Sequence, residues 1–112
     1  MFEEDYIMSL FKDENDNKEK YIKNKIKRRG IGYLNISEVN YLRKKNNLTE
    51  LSIIKLKDCL YENIISYSDI YKSTNISRPM MSMILRGTRN CTIKQINKIL
   101  EYFKDNNIKF TF

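Results

Sequence analysis

The sequence predicts a mainly α-helical fold, on three observations. Glycine and proline are scarce, three and one in 112 residues, whereas all-β architectures need many turns. Several segments carry apolar residues at helical spacing. Apolar residues make up 41% of the chain, enough for a folded domain that buries a core without disulfides or metals. The expected architecture is a bundle of four to six helices with short β segments near 31–36 and 108–112.

Taken in order, Phe2, Tyr6, Ile7, Leu10 and Phe11 are spaced for one face of a short helix. The polar run "KDENDNKEK" (12–20) then reads as a boundary. "KYIKNKIKRR" (20–29) is a basic helix with Ile22 and Ile26 on one side, capped by Gly30. "IGYLNI" (31–36) is β-prone, and Ser37 is placed to cap "EVNYLRKKN". Thr49 is placed to cap a helix reaching about residue 63, with Ile53, Leu56, Leu60 and Ile64 in one stripe. Ser66 caps "YSDIYKST", and Asn75 stands where a left-handed turn is needed. "RPMMSMILR" follows and stops at Gly87. Thr92 caps a helix striped by Ile93, Ile96, Ile99, Leu100 and Phe103. The tail "IKFTF" alternates as a strand does, with Ile108, Phe110 and Phe112 on one face. The expected organisation is an N-terminal extension, 1–50, and a domain, 51–112.

Composition narrows the function classes. There is no histidine, so the commonest general base and neutral metal ligand are missing. Cys59 and Cys91 stand apart with no C-x-x-C partner, which argues against zinc and redox chemistry. No phosphate-binding loop or paired-carboxylate motif is present, so neither an enzyme nor a cofactor is expected. No apolar run approaches the ~20 residues that span a bilayer, and the acidic start has the wrong sign for a secretory leader. A cytoplasmic protein with reduced thiols is the expectation. Net charge is +7, unevenly placed: residues 1–19 hold seven acids and two lysines, a net of −5, and the remainder carries +12. A basic body of this kind favours a polyanion, nucleic acid most often. The plain alternative is solubility in a lysine- and asparagine-rich chain.

Two short helices joined by a three- to four-residue turn form a helix-turn-helix arrangement. Here "SYSDIYKSTNISRPMMSMILRG" (66–87) resembles the Cro/C1-type, phage repressor-like helix-turn-helix of the XRE family. The resemblance covers about residues 51–105. It implies that Ser66 caps the scanning helix and that Tyr67 stands where a phosphate-contacting residue is usual. Ile70 would be buried, Asn75 would take the turn, and Ile76 and Ser77 would enter the recognition helix. Met81 and Ile84 would face its core, and Gly87 would end it. Two departures stand out. Tyr71 replaces a usual alanine, so its phenol must turn outward or widen the helix pair. Pro79 lies in the first turn of the recognition helix, where its missing N–H is tolerated. Proline also disfavours helical backbone at Arg78, so the helix is expected to start at Pro79.

Turning by 100° per residue, a helix with Met81 and Ile84 inward sends Pro79, Ser82, Met83 and Arg86 outward, with Arg78 on the flank. Arginine can read guanine O6 and N7 in the major groove, and methionine can meet a thymine methyl. Thr88, Arg89 and Asn90 form a polar loop suited to phosphate oxygens. The plain readings are a solvated rim for the arginines and a core position for Met83. Lys25, Lys27, Arg28 and Arg29 form either a basic arm along a DNA backbone or an exposed helix face. The acidic start is left to fold over that arm, repel DNA or bind a basic partner.

The resemblance implies a transcriptional regulator of a phage or mobile element. It would be a repressor that binds operator DNA as a homodimer, and the tail strand is a candidate for pairing two copies. The other class is a protein-interaction module on the same scaffold, with residues 1–50 as the partner surface. An antitoxin or an inhibitor of host nucleic-acid machinery, such as an anti-CRISPR protein, would be of this class.

Overall fold

The structure, a computed structural model, describes residues 4–13 and 15–111. It is mainly helical: α1 (Glu4–Met8), α2 (Asn17–Arg29), a 3-10 turn (Ile31–Tyr33), α3 (Ile36–Lys45), α4 (Ile53–Glu62), α5 (Tyr67–Thr74), α6 (Arg78–Leu85) and α7 (Ile93–Asp105). The expectations for Phe2 and Phe112 lie outside the described residues. Two compact units divide the chain. An N-terminal unit takes in the described residues up to Leu51 together with Thr92–Lys94, and a C-terminal unit takes in Ser52–Cys91 and the described residues from Gln95 onward.

In the N-terminal unit, Ile7, Leu10, Ile22, Leu34, Val39 and Leu42 are buried, each apolar side chain of this size stabilising the fold by about 1.5–3 kcal/mol. The polar run 12–20 is not a boundary. It starts α2, because the Asp16 carboxylate accepts from the amides of Lys18 and Glu19 and so satisfies the first free donors of the helix. Glu19 is buried, accepts from the Asp13 amide at 2.8 Å and pairs with Lys45 at 3.1 Å. Lys45 also meets Asp16 at 2.6 Å, and the Tyr41 hydroxyl donates to Asp16 at 2.5 Å.

The expected strand at 31–36 is absent, and the sequence pattern has another cause. Gly30 leaves α2 at φ 91, a conformation L-residues rarely adopt, and the chain turns as a 3-10 helix. Leu34 and Ile36 alternate inward around Asn35 without a ladder. One antiparallel bridge, Asn35 to Thr92, and the Ile93 amide on the Leu34 carbonyl at 2.8 Å fasten the segment. Asn35, not Ser37, caps α3 in a reciprocal capping box with Glu38.

Thr49 does not cap α4. The Asn40 side-chain amide donates to the Leu51 carbonyl and accepts from the Leu51 amide, at 3.0 and 2.7 Å. That clamp keeps the backbone out of the helix, which begins at Ile53. In the C-terminal unit Leu56, Leu60, Ile70, Met81, Ile84, Ile96, Ile99 and Phe103 are buried. The tail is not a strand among the described residues. Its alternation is used up within the unit, since Phe110 packs edge-on against Phe103 with ring centroids 5.4 Å apart.

Four helices end in the same way. After α3, α4, α6 and α7, two amides turn back to the last carbonyls, and a left-handed residue follows the cap. That residue is Asn47, Gly87 and Asn107 at three of the ends, types that tolerate positive φ. At the end of α4 it is Ile64, with φ 53 and 91% exposed. The expected continuation of the α4 stripe to Ile64 therefore fails, because the helix has already closed.

Two outcomes follow from this packing. Left-handed backbone costs an L-residue about 1–2 kcal/mol, and a branched β-carbon gives no relief. Ile64→Asn should therefore raise the unfolding free energy by about 1 kcal/mol in urea titration of dilute protein. The Lys45 ammonium, and after it the Tyr41 hydroxyl, hold the Asp16 carboxyl well below the usual carboxylate range. A carboxyl with a depressed folded-state pKa contributes fully above its unfolded value, near ~4, and loses that contribution as the pH falls further. Asp16→Asn should lower the urea midpoint at neutral pH and flatten its decline below about pH 4.

Candidate nucleic-acid interface

The site is built from α5, the turn 75–77 and α6. Ser66 begins α5 through a capping box: its hydroxyl accepts from the Asp69 amide at 3.1 Å, and the Asp69 carboxylate accepts from the Ser66 amide at 3.0 Å. The bond from the Ser66 amide, and a second from the Ser66 hydroxyl at 2.9 Å, lower the Asp69 carboxyl pKa. The helix ends at Thr74, whose buried hydroxyl donates to the Ile70 carbonyl at 2.6 Å and accepts from the Ile76 amide at 3.2 Å. Asn75 takes the left-handed conformation at φ 61. Ile76 is buried and pins the turn. Ser77 then caps α6, its hydroxyl accepting from the Met80 amide at 3.2 Å.

Helix α6 begins at Arg78, one residue before the expected Pro79. Ser77 holds the extended backbone, φ −62 and ψ 156, that a cap requires, and the Met81 amide bonds the Ser77 carbonyl at 2.9 Å. Pro79, in the first turn, has no donor to leave unpaired. Met81 and Ile84 are essentially inaccessible and Leu85 is buried, where α6 packs on α4 and α5. Their burial decides what α6 presents. Arg78, Pro79 and Arg86 are exposed, and Ser82 and Met83 are half-buried. Tyr71 takes the outward alternative and is exposed.

The side chains singled out in the sequence fall into groups. The Arg78 guanidinium donates to the Ser68 hydroxyl on α5, so it is steadied while its remaining donors stay available. Arg86 donates through Nε to the Ser82 carbonyl at 3.3 Å, folding along its own helix. Thr88 closes the end of α6, its amide and hydroxyl both donating to the Met83 carbonyl, at 3.0 and 3.2 Å. Arg89 and Asn90 are exposed in the loop that follows, and Tyr67 is partly exposed at the start of α5. Of the basic-arm residues, Lys27, Arg28 and Arg29 are exposed on the last turn of α2 in the N-terminal unit. Lys25 differs from them. It lies half-buried against Glu38 at 2.7 Å and braces the cap of α3. Arg29 stands over the Tyr33 ring, 4.8 Å from its centroid, and Lys94 lies 5.9 Å from the same centroid.

Ser68 carried no signal in the sequence; the only acid in α5 is Asp69, which its capping bonds to Ser66 engage. Residues 70–100 contain Lys72, Arg78, Arg86, Arg89, Lys94 and Lys98 and no aspartate or glutamate. That window is visible in the sequence once charge is counted locally. Cys91 closes the loop after α6; it is buried in the core, and burial pushes its thiol up to about 12. Among the described residues no group of three or more acids and cysteines is placed to hold a metal ion, and no helix is long and apolar enough to cross a membrane.

Compared with protein-family models, curated proteins and solved structures, the chain matches none of them.

The two central methionines should separate cleanly. Met81→Ala removes a fully buried side chain and should cost ~2–5 kcal/mol of stability. Met83→Ala, on the half-buried outward arc, should cost well under half of that. Equal losses in urea denaturation would place Met83 in the core.

Proposed function

We propose that this protein is a sequence-specific double-stranded DNA-binding regulator that lays α6 in the major groove. One observation carries the reading. Helix α6 is anchored by Met81, Ile84 and Leu85, so Pro79, Ser82, Met83 and Arg86 form its outward arc with exposed Arg78 on the flank, and residues 70–100 hold no acid. In this reading Arg78 and Arg86 address base edges, small Ser82 permits close approach, and Met83 meets an apolar edge such as a thymine methyl. Tyr67, Ser77, Thr88, Arg89 and Asn90 flank the arc and serve phosphate oxygens. Lys27, Arg28 and Arg29 add non-specific attraction from the N-terminal unit. The regulatory mechanism proposed is steric: the protein on its operator excludes the transcription machinery, as a repressor of a phage or mobile element would.

Selection of bound fragments from random DNA tests this, with wild type and the Arg78→Ala/Arg86→Ala variant in parallel. Wild type should enrich a motif and the variant should lose it. Each single substitution should cost ~1–3 kcal/mol on the motif and relax its base preference. Equal weakening on all sequences would reduce the two arginines to phosphate contacts. No enrichment by the wild type would leave the α5–α6 unit as a scaffold for a protein partner.

A further inference from the structure

One face of α4 leaves large apolar side chains exposed. Ile54, Lys57, Asp58 and Tyr61 recur at i, i+3, i+4 and i+7, which gathers them into one stripe about 100° wide. All four are exposed. Leu56, Cys59 and Leu60 are buried on the opposite side of the helix. The two large apolar residues of the stripe are far out in solvent, Ile54 at 71% and Tyr61 at 85%. Three residues beyond Tyr61 comes Ile64, the left-handed isoleucine at a position where three other helix ends use asparagine or glycine. A strained, branched and exposed residue at this position costs stability that asparagine or glycine would not.

We infer that this stripe is a self-association surface, whose occupant is α4 of a second copy of the chain, packed parallel about a twofold axis. The charge pattern chooses both occupant and direction. Viewed down α4, Lys57 lies on one flank of the Ile54–Tyr61 line and Asp58 on the other. In a parallel twofold pair, each flank carries Lys57 of one copy beside Asp58 of the other. Ile54 then meets its own mate, Tyr61 meets its own mate, and the two Ile64 side chains come to the same end. An antiparallel twofold pair would instead set lysine beside lysine and aspartate beside aspartate, which opposes association. The stripe runs only about 10 Å, seven residues at 1.5 Å each. That is short of the ~1,200 Å² of buried surface a stable complex needs, so the pair is a transient one, forming on the order of 100 µM unless a shared ligand holds two copies together. The inference is independent of the DNA reading, since it uses no residue of that interface.

Sedimentation equilibrium of the full chain, from about 5 to about 500 µM, brackets that range and tests the inference. The wild type should pass from monomer to dimer. Lys57→Asp should weaken association at least ~10-fold by placing like charges on both flanks, and Asp58→Lys should do the same. The combined Lys57→Asp/Asp58→Lys chain should recover it. Under mild oxidation Ile54→Cys should cross-link to itself, since a parallel pair brings position 54 to its own mate. These positions are exposed, so circular dichroism should be unchanged. A wild type monomeric at every concentration, or a dimer indifferent to Lys57→Asp, would overturn the inference. Cross-linking only when Ile54→Cys is mixed with Tyr61→Cys would overturn the parallel arrangement.

Discussion

The burial of Met81 and Ile84 is the constraint on which the candidate interface depends. A helix of eight residues has little stability of its own, so α6 exists because its apolar side is held by α4 and α5. Once that side is fixed, the 100° turn per residue leaves no freedom in what faces outward. The same dependence explains the care taken with the preceding turn. Thr74 donates to one backbone group and accepts from another, Asn75 absorbs the positive φ, and Ser77 caps the next helix. Together these bonds set where α6 begins, and the buried side sets which residues it turns outward.

Much of this was legible because it rests on local rules. The helical class, the turn at Asn75, the cap at Ser66 and the end at Gly87 are set by neighbours a few residues apart. What was not legible depended on partners far along the chain. Asn40 clamps Leu51 across eleven residues and so delays α4 until Ile53; nothing in "LTELS" announces it. Lys25 reads as one more base in a basic run, yet it is spent on Glu38. The alternation in 31–36 and 108–111 reads as strand, but the pattern records only that alternate side chains find apolar contact. A 3-10 turn and a tail folded onto α7 provide that contact equally well. The capping box at Asn35 and Glu38 is a local signal that an overlapping one at Ser37 obscured.

The exposed isoleucine at the end of α4 shows how stability and surface chemistry compete in a small helical protein. Each helix end must return two amides to orphaned carbonyls, and the left-handed residue that allows this is nearly free when it is asparagine or glycine. Isoleucine there loses twice, through backbone strain and through an apolar side chain left in water. Both losses shrink if a partner covers the side chain, because burial recovers the hydration term and packing can hold the strained backbone. The residue that stability would discard is thus the residue an interface would keep.

Net charge by itself is a blunt guide to where a polyanion would lie. The ion pairs among the described residues, Lys25–Glu38 and Lys45 with Asp16 and Glu19, all belong to the N-terminal unit. Among its other bases, Lys18 lies over Tyr41, Lys23 over Phe11 and Arg29 over Tyr33. There, about half of the bases offset acids or pack on aromatics, while Lys27 and Arg28 stay exposed. On α6 the two arginines have no acid partner in the ion pairs among the described residues. Arg78 and Arg86 are steadied by a hydroxyl and a carbonyl, groups that orient a guanidinium without neutralising it. Both lie in residues 70–100, which hold no aspartate or glutamate. A phosphate or a guanine approaching that arc would meet cations already oriented, with part of the ordering entropy of two long side chains spent in advance. That difference in how the bases are used, more than their number, is what directs the nucleic-acid reading to α6.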